Sequence, residues 1–149
     1  MAPGVAMKLI AYADGASRGN PGPASYGVVV YDADGKELHC GSQALGRATN
    51  NQAEYRGAIA ALEAALGLGA RELELRMDSE LVIRQLTGRY KVRNPGLIPL
   101  HKRILALRER FDRVALVHVP RAQNRVADKL ANEALDGRGG QGPGAMGHG

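Results

Sequence analysis

Four acidic side chains, Asp14, Glu54, Asp78 and Asp128, are the residues of this 149-residue chain whose type and setting could do chemistry. Singly, each has an ordinary structural explanation. Asp14 precedes Gly15 as in many turns, and Asp78 precedes Ser79 as in many strand-to-helix caps. Glu54 follows Asn51 at the spacing of a capping box, and Asp128, near a helix start, complements the helix dipole. Taken together they read differently. Asp14 and Asp78 are expected to end strands on the same side of a sheet, where open α/β sheets place their ligand sites. Four carboxylates gathered without cations would repel and raise one another's pKa values, so the set makes chemical sense with a divalent metal. Hard oxygen donors in a histidine- and cysteine-poor set point to magnesium, which keeps several waters and completes its shell with phosphate oxygens of a substrate.

The elements that must position these acids can be read from hydrophobic periodicity. Lys8 to Ala13 alternates as a strand that stops at Asp14-Gly15, and Gly15 to Pro23 reads as a glycine- and proline-rich loop. Tyr26 to Tyr31 is a valine-rich strand, and Asp32 to Gly35 turns the chain into a third strand over Glu37 to Leu45. From Asn51 the period changes: Tyr55, Ala58, Ile59, Leu62, Ala65 and Leu66 share one helix face, and Gly67 and Gly69 end it. Leu73, Leu75 and Met77 alternate in a strand leading into Asp78-Ser79 and a short helix from Glu80 to Leu86. After the breaker Asn94-Pro95-Gly96, residues Leu97 to Phe111 repeat at helical spacing, and Val114 to Val119 is the last strand. Asn124 is placed to cap a final helix in which Val126, Leu130, Ala134 and Leu135 face the core, with Asp128 on another side. The order β-β-β-α-β-α-α-β-α implies an α/β fold with a mixed five-stranded sheet: three antiparallel strands, then strands reached by crossovers, flanked by helices.

Composition bounds the rest. The length suits one domain, expected over residues 7–136, with residues 1–6 as an extension, Met7 a candidate natural start, and 137–149 a disordered glycine-rich tail. A single cysteine, Cys40, excludes an internal disulfide and a thiolate metal site, which suits a reducing cytoplasm. No apolar run reaches membrane-spanning length, so no membrane partner is expected. The net charge of +5 favours a polyanionic partner. The charge is concentrated: residues 84 to 125 hold eleven basic side chains against only Glu109 and Asp112. A solvated helix surface would explain that equally well without a catalytic motif beside it.

The sequence Tyr12-Ala13-Asp14-Gly15-Ala16-Ser17-Arg18-Gly19-Asn20-Pro21-Gly22-Pro23 resembles the opening motif of the type 1 ribonuclease H family. Thr49-Asn50-Asn51-Gln52-Ala53-Glu54, Met77-Asp78-Ser79 and Asn124-Arg125-Val126-Ala127-Asp128 resemble its other three blocks, in order, so the likeness runs from about Met7 to Leu135. The resemblance implies the ribonuclease H-like fold and cleavage of the RNA strand of an RNA–DNA hybrid by a monomer. It implies two magnesium ions, with manganese as a possible substitute. Asp14 would bridge the ions, Asp128 would join it on the water-activating one, and Glu54 and Asp78 would hold the other. Asn50, Asn51 and Gln52 would read 2′-hydroxyls, Asn20 and Thr49 would hold a phosphate of the DNA strand, and Ser79, Arg84, Lys91 and Asn124 would add substrate contacts.

Two features depart from many members. Arg121 stands in the loop where many carry a histidine, which gives it a phosphate or product-release role, while His118 is read as structural. The path from Arg89 to Leu97 also lacks a long basic handle. The rival readings are a catalytically inactive hybrid-binding module of the same fold and a nuclease acting on DNA. Covalent catalysis by Ser17, Ser25 or Cys40 has no histidine in a motif to support it.

Overall fold

Alternation along the first strand divides the molecule into two layers around one sheet. Leu9, Ala11 and Ala13 of β1 (Lys8–Ser17) point to one side and are fully buried, while Ile10 and Tyr12 point to the other. The computed structural model describes residues 7–137, so the expected extension and all but the first residue of the expected tail lie outside the described residues. β1 pairs antiparallel with β2 (Gly22–Asp32), which pairs antiparallel with β3 (Glu37–Ala48). On its other edge β1 runs parallel to β4 (Glu72–Met77), and β4 runs parallel to β5 (Arg113–His118). The order β3-β2-β1-β4-β5 is the expected mixed sheet of three antiparallel strands followed by crossovers.

Helices cover both faces. α1 (Asn50–Gly67) lays Ala53, Ala58, Ala61, Leu62 and Ala65 on the Leu9, Ala11 and Ala13 side. Its small residues let helix and sheet approach closely. α2 (Glu80–Leu86) and α3 (Ile98–Arg108) complete that layer with Val82, Leu86, Ile104 and Leu107. Each fully buried leucine or isoleucine there contributes about 1.5–3 kcal/mol by leaving water. Tyr55 is also fully buried, and its hydroxyl donates to Gln85 Oε1 at 2.7 Å, tying α1 to α2. On the opposite face, α4 (Arg125–Leu135) buries Ala127, Ala131 and Ala134, and the Ser25 hydroxyl donates to the Ala131 carbonyl at 2.5 Å. Among the described residues, no helix is long and apolar enough to cross a membrane.

Several boundaries differ from the sequence reading. β1 does not stop at Asp14 but continues to Ser17, because β2 keeps pairing with it through Asp14↔Gly27 to Ser17↔Ala24. The expected loop from Gly15 to Pro23 therefore shrinks to the few residues between β1 and β2. β3 runs on to Ala48, since its ladder with β2 extends to Gly22↔Ala48. α3 ends at Arg108, short of Phe111, although Phe111 still packs into the core from the following turn.

Candidate active site

The four acids are brought together by the places where backbones touch. Pairing between β1 and β4 ends at Tyr12↔Arg76, whereas β1 and β2 stay paired beyond it. Asp14 thus projects where the sheet has opened beside the end of β4, and Asp78 follows directly after that strand. Gly15, the next residue along β1, turns to the α1 side. A Cβ there would lie 2.3 Å from the Glu54 amide nitrogen and 2.4 Å from the Ala53 carbonyl carbon, so only glycine lets α1 sit this close. Gly27, the cross-strand partner of Asp14, does the same on the α4 side: a Cβ would lie 2.2 Å from the Ala127 carbonyl oxygen. One glycine admits the helix carrying Glu54, the other the helix carrying Asp128.

Hydrogen bonds then fix the side chains. The Gly15 N–H donates to both Asp14 Oδ1, at 3.0 Å, and Glu54 Oε2, at 3.2 Å, so one backbone donor holds two carboxylates. Asp14, Glu54 and Asp78 each offer an oxygen within 4.8 Å of the others. Asp128 stands outside that trio but lines the same cleft, close enough for its charge to raise the Asp14 carboxyl. Asp14 and Glu54 are 5 % and 4 % exposed, so water screens their repulsion poorly. Burial, then the charges of Asp78 and Asp128, push the Asp14 carboxyl up to about 8, with the Gly15 N–H pulling the other way. Burial, then Asp14 and Asp78, push Glu54 up to about 9. Burial also raises Asp78, against the nearby Arg121 guanidinium. A close, all-oxygen set that resists ionisation on its own fits a hard divalent cation, whose charge would stabilise all the carboxylates at once.

Around them opens a cleft of about 480 Å³ lined also by Ser17, Asn50, Ser79, Arg121 and Asn132. Asn50, Ser79 and Arg121 therefore stand beside the carboxylates. Arg121 is 83 % exposed and its guanidinium lies 4.0 Å from Asp128 Oδ1. Asn132 was not legible as a site residue, although it lies four positions after Asp128 on α4; its amide donates to the Asp128 carbonyl at 2.9 Å. Arg84 is turned elsewhere. It pairs with Glu80, donates to the Tyr90 hydroxyl and lines a separate surface groove with Arg89 and the exposed His118. Lys91 is exposed and lies outside the cleft.

Three expectations need correction or refinement. The capping box at α1 lies two residues earlier than the Asn51 to Glu54 spacing suggested: Thr49 accepts from the Gln52 N–H, and Gln52 Oε1 accepts from the Thr49 N–H. That frees Glu54 for the site. Asn20 Oδ1 accepts from the Asn50 N–H at 3.0 Å, so it also helps to satisfy the start of α1. Asn124 makes no side-chain cap for α4 and is only 1 % exposed, since its amide turns inward and donates to the Ala13 carbonyl at 2.9 Å.

The family model described as reverse transcriptase-like matches residues 12–134. The chain is 53 % identical over 131 residues to a bifunctional protein of Mycobacterium tuberculosis, covering 87 % of this chain and 36 % of that protein. It thus spans about a third of the length of the mycobacterial relatives it matches. The crystal structure of the RNase H1 of Halobacterium salinarum superposes with a TM-score of 0.84 at 53 % identity, covering 87 % of this chain and 98 % of that one. LC11-RNase H1, solved in complex with an RNA/DNA hybrid, superposes with a TM-score of 0.82 at 44 % identity, covering 86 % and 96 %.

Proposed function

Because the chain belongs to the type 1 ribonuclease H family, we propose that it hydrolyses the RNA strand of RNA–DNA hybrids, with residues 7–136 as the catalytic domain. The observation that carries this reading is the convergence of Asp14, Glu54 and Asp78 within 4.8 Å, with Asp128 lining the same cleft. Two magnesium ions would be held by these four acids, Asp14 and Asp128 serving the one that activates water and Glu54 and Asp78 the other. Manganese would substitute. Such ions supply an acidified water and a positive charge beside the scissile phosphate. Cleavage with loss of the 3′-oxygen leaves 5′-phosphate and 3′-hydroxyl ends.

The chain's own groups do the rest. Gly15 holds Asp14 and Glu54 in place through one N–H. Gln52 has its carbonyl oxygen committed to the cap, so it would read a 2′-oxygen only by donating from Nε2. Thr49 accepts from the helix and keeps its hydroxyl proton to donate to a DNA phosphate, beside Asn20. Asn50, Asn51 and Ser79 would contact the RNA ribose and backbone, and Arg121 would hold and release the product phosphate. Arg84 and Lys91 would act only at longer range, on the backbone of a hybrid extending beyond the cleft. The same reading has the protein acting in the cytoplasm as a monomer.

The test is cleavage of a labelled hybrid in magnesium and in EDTA, beside single-stranded RNA, RNA duplex and DNA duplex. Magnesium-dependent loss of only the hybrid's RNA strand is expected. Tight hybrid binding without cleavage would move the assignment to the inactive binding module, and cutting of DNA duplex would move it to a DNA nuclease.

A further inference from the structure

Asn124 is the residue where the strand carrying Asp14 is bonded to the start of the helix carrying Asp128. Its Nδ2 donates to the carbonyl of Ala13, the residue just before Asp14, across 111 positions of sequence. Its own carbonyl accepts the Asp128 N–H at 3.1 Å, in the first turn of α4. At 1 % exposure it has no face left for a nucleic acid, and its Oδ1 is buried with no hydrogen-bond partner among the described residues. An amide that leaves one of its own atoms buried and unpaired is kept there by what its other atom holds.

We infer that Asn124 is a positioning residue of the metal site: it sets the spacing of Asp14 and Asp128 and makes no contact with substrate. The geometry divides the labour. The Gly15 N–H joins Asp14 to Glu54 from the α1 side, and Asn124 joins the strand of Asp14 to the helix of Asp128 from the α4 side. A shorter side chain would leave the Ala13 carbonyl without its buried donor and let the start of α4 slide relative to β1. The carboxylates would remain, at altered separations. Outer-shell partners of this kind typically change metal affinity 10- to 100-fold when removed.

This inference rests on the metal-dependent reading of the four acids, and its test is separable from cleavage. The variants are Asn124→Ala and Asn124→Gln in the full chain, with Gln123→Ala as an exposed neighbour control and thermal melts to establish folding. Mn²⁺ binding is titrated without nucleic acid, and hybrid binding is titrated in EDTA. The expected result is Mn²⁺ affinity weakened about 10- to 100-fold in both Asn124 variants, with hybrid affinity within twofold of the parent. Should Asn124→Ala fail to fold, Asn124→Gln keeps the amide but displaces it by one methylene, and the same loss is expected. Mn²⁺ affinity within twofold of the parent in a folded Asn124 variant overturns the inference. Failure of the parent to cleave hybrid would instead count against the ribonuclease reading and leave the Mn²⁺ comparison standing.

Discussion

Asp14→Asn should make the metal-free protein more stable while abolishing its cleavage of hybrid. The Asp14 carboxyl moves from 3.8 to about 8 on folding, mainly through burial and then through Asp78 and Asp128. A group whose folded pKa is raised contributes its full share of stability below the unfolded value and loses it as pH rises towards the folded one. Between roughly pH 4 and 8 the unfolded chain can release this proton and the folded chain cannot. At pH 7 that amounts to at most roughly 4 kcal/mol, taking 1.36 kcal/mol per pH unit above 3.8. Local rearrangement and a compact denatured state reduce it, so a gain of about 1–2 kcal/mol is the working figure. Asparagine keeps Oδ1 for the Gly15 N–H and offers Nδ2 to Asp78 or Asp128 in place of a charge. In a domain of this size, the melting temperature in EDTA at pH 7 should rise by about 3–8 °C. At pH 4.5 the rise should nearly vanish. The assay is a set of thermal melts in EDTA from pH 4.5 to 8 for both proteins, beside hybrid cleavage in magnesium. An equal or lower melting temperature for the variant at pH 7 to 8, or the same gain at pH 4.5, would refute the reasoning.

Divalent metal should raise the melting temperature of the parent protein more at pH 8 than at pH 6, because binding must displace protons held on Asp14 and Glu54 at the lower pH; a pH-independent increment in paired melts would count against it. Gly27→Ala places a Cβ 2.2 Å from the Ala127 carbonyl, so α4 must move off the sheet, with an expected loss of about 1–3 kcal/mol and cleavage reduced further than stability; urea unfolding and hybrid cleavage compare the two. Arg121→Ala should leave the melting temperature within about 1 °C of the parent, since the side chain is 83 % exposed, yet slow multiple-turnover cleavage more than single-turnover cleavage.

The sheet and the helix over 50–67 were legible because their hydrophobic periods are long and consistent: Leu73, Leu75 and Met77 at period two, Tyr55 to Leu66 at helical spacing. The four acids were legible through their motif blocks. What escaped the sequence was set by tertiary contact. The extension of β1 beyond Asp14 depends on β2 continuing to pair there, which no local propensity around Gly15 reveals. The capping box could be read from either Thr49 or Asn51, each followed by a suitable residue three positions on, and only the fold chooses Thr49. Asn124 had the right type for a helix cap, but a buried carbonyl 111 residues away competes for its amide and wins. Arg84 sits in a basic stretch, and its engagement with Glu80 and Tyr90 turns it from the cleft.

At Gly15 and Gly27 the sheet meets the main chains of α1 and α4 directly, so at these two points no side chain on the strand sets the distance. The gap between carboxylates is therefore insulated from the packing of the large residues deeper in the core, such as Leu62, Ile104 and Leu107. Stability and catalytic geometry become largely independent traits. The interior can drift, or be redesigned for heat resistance, without retuning the reaction centre, whereas a single methyl group at either glycine would alter both together.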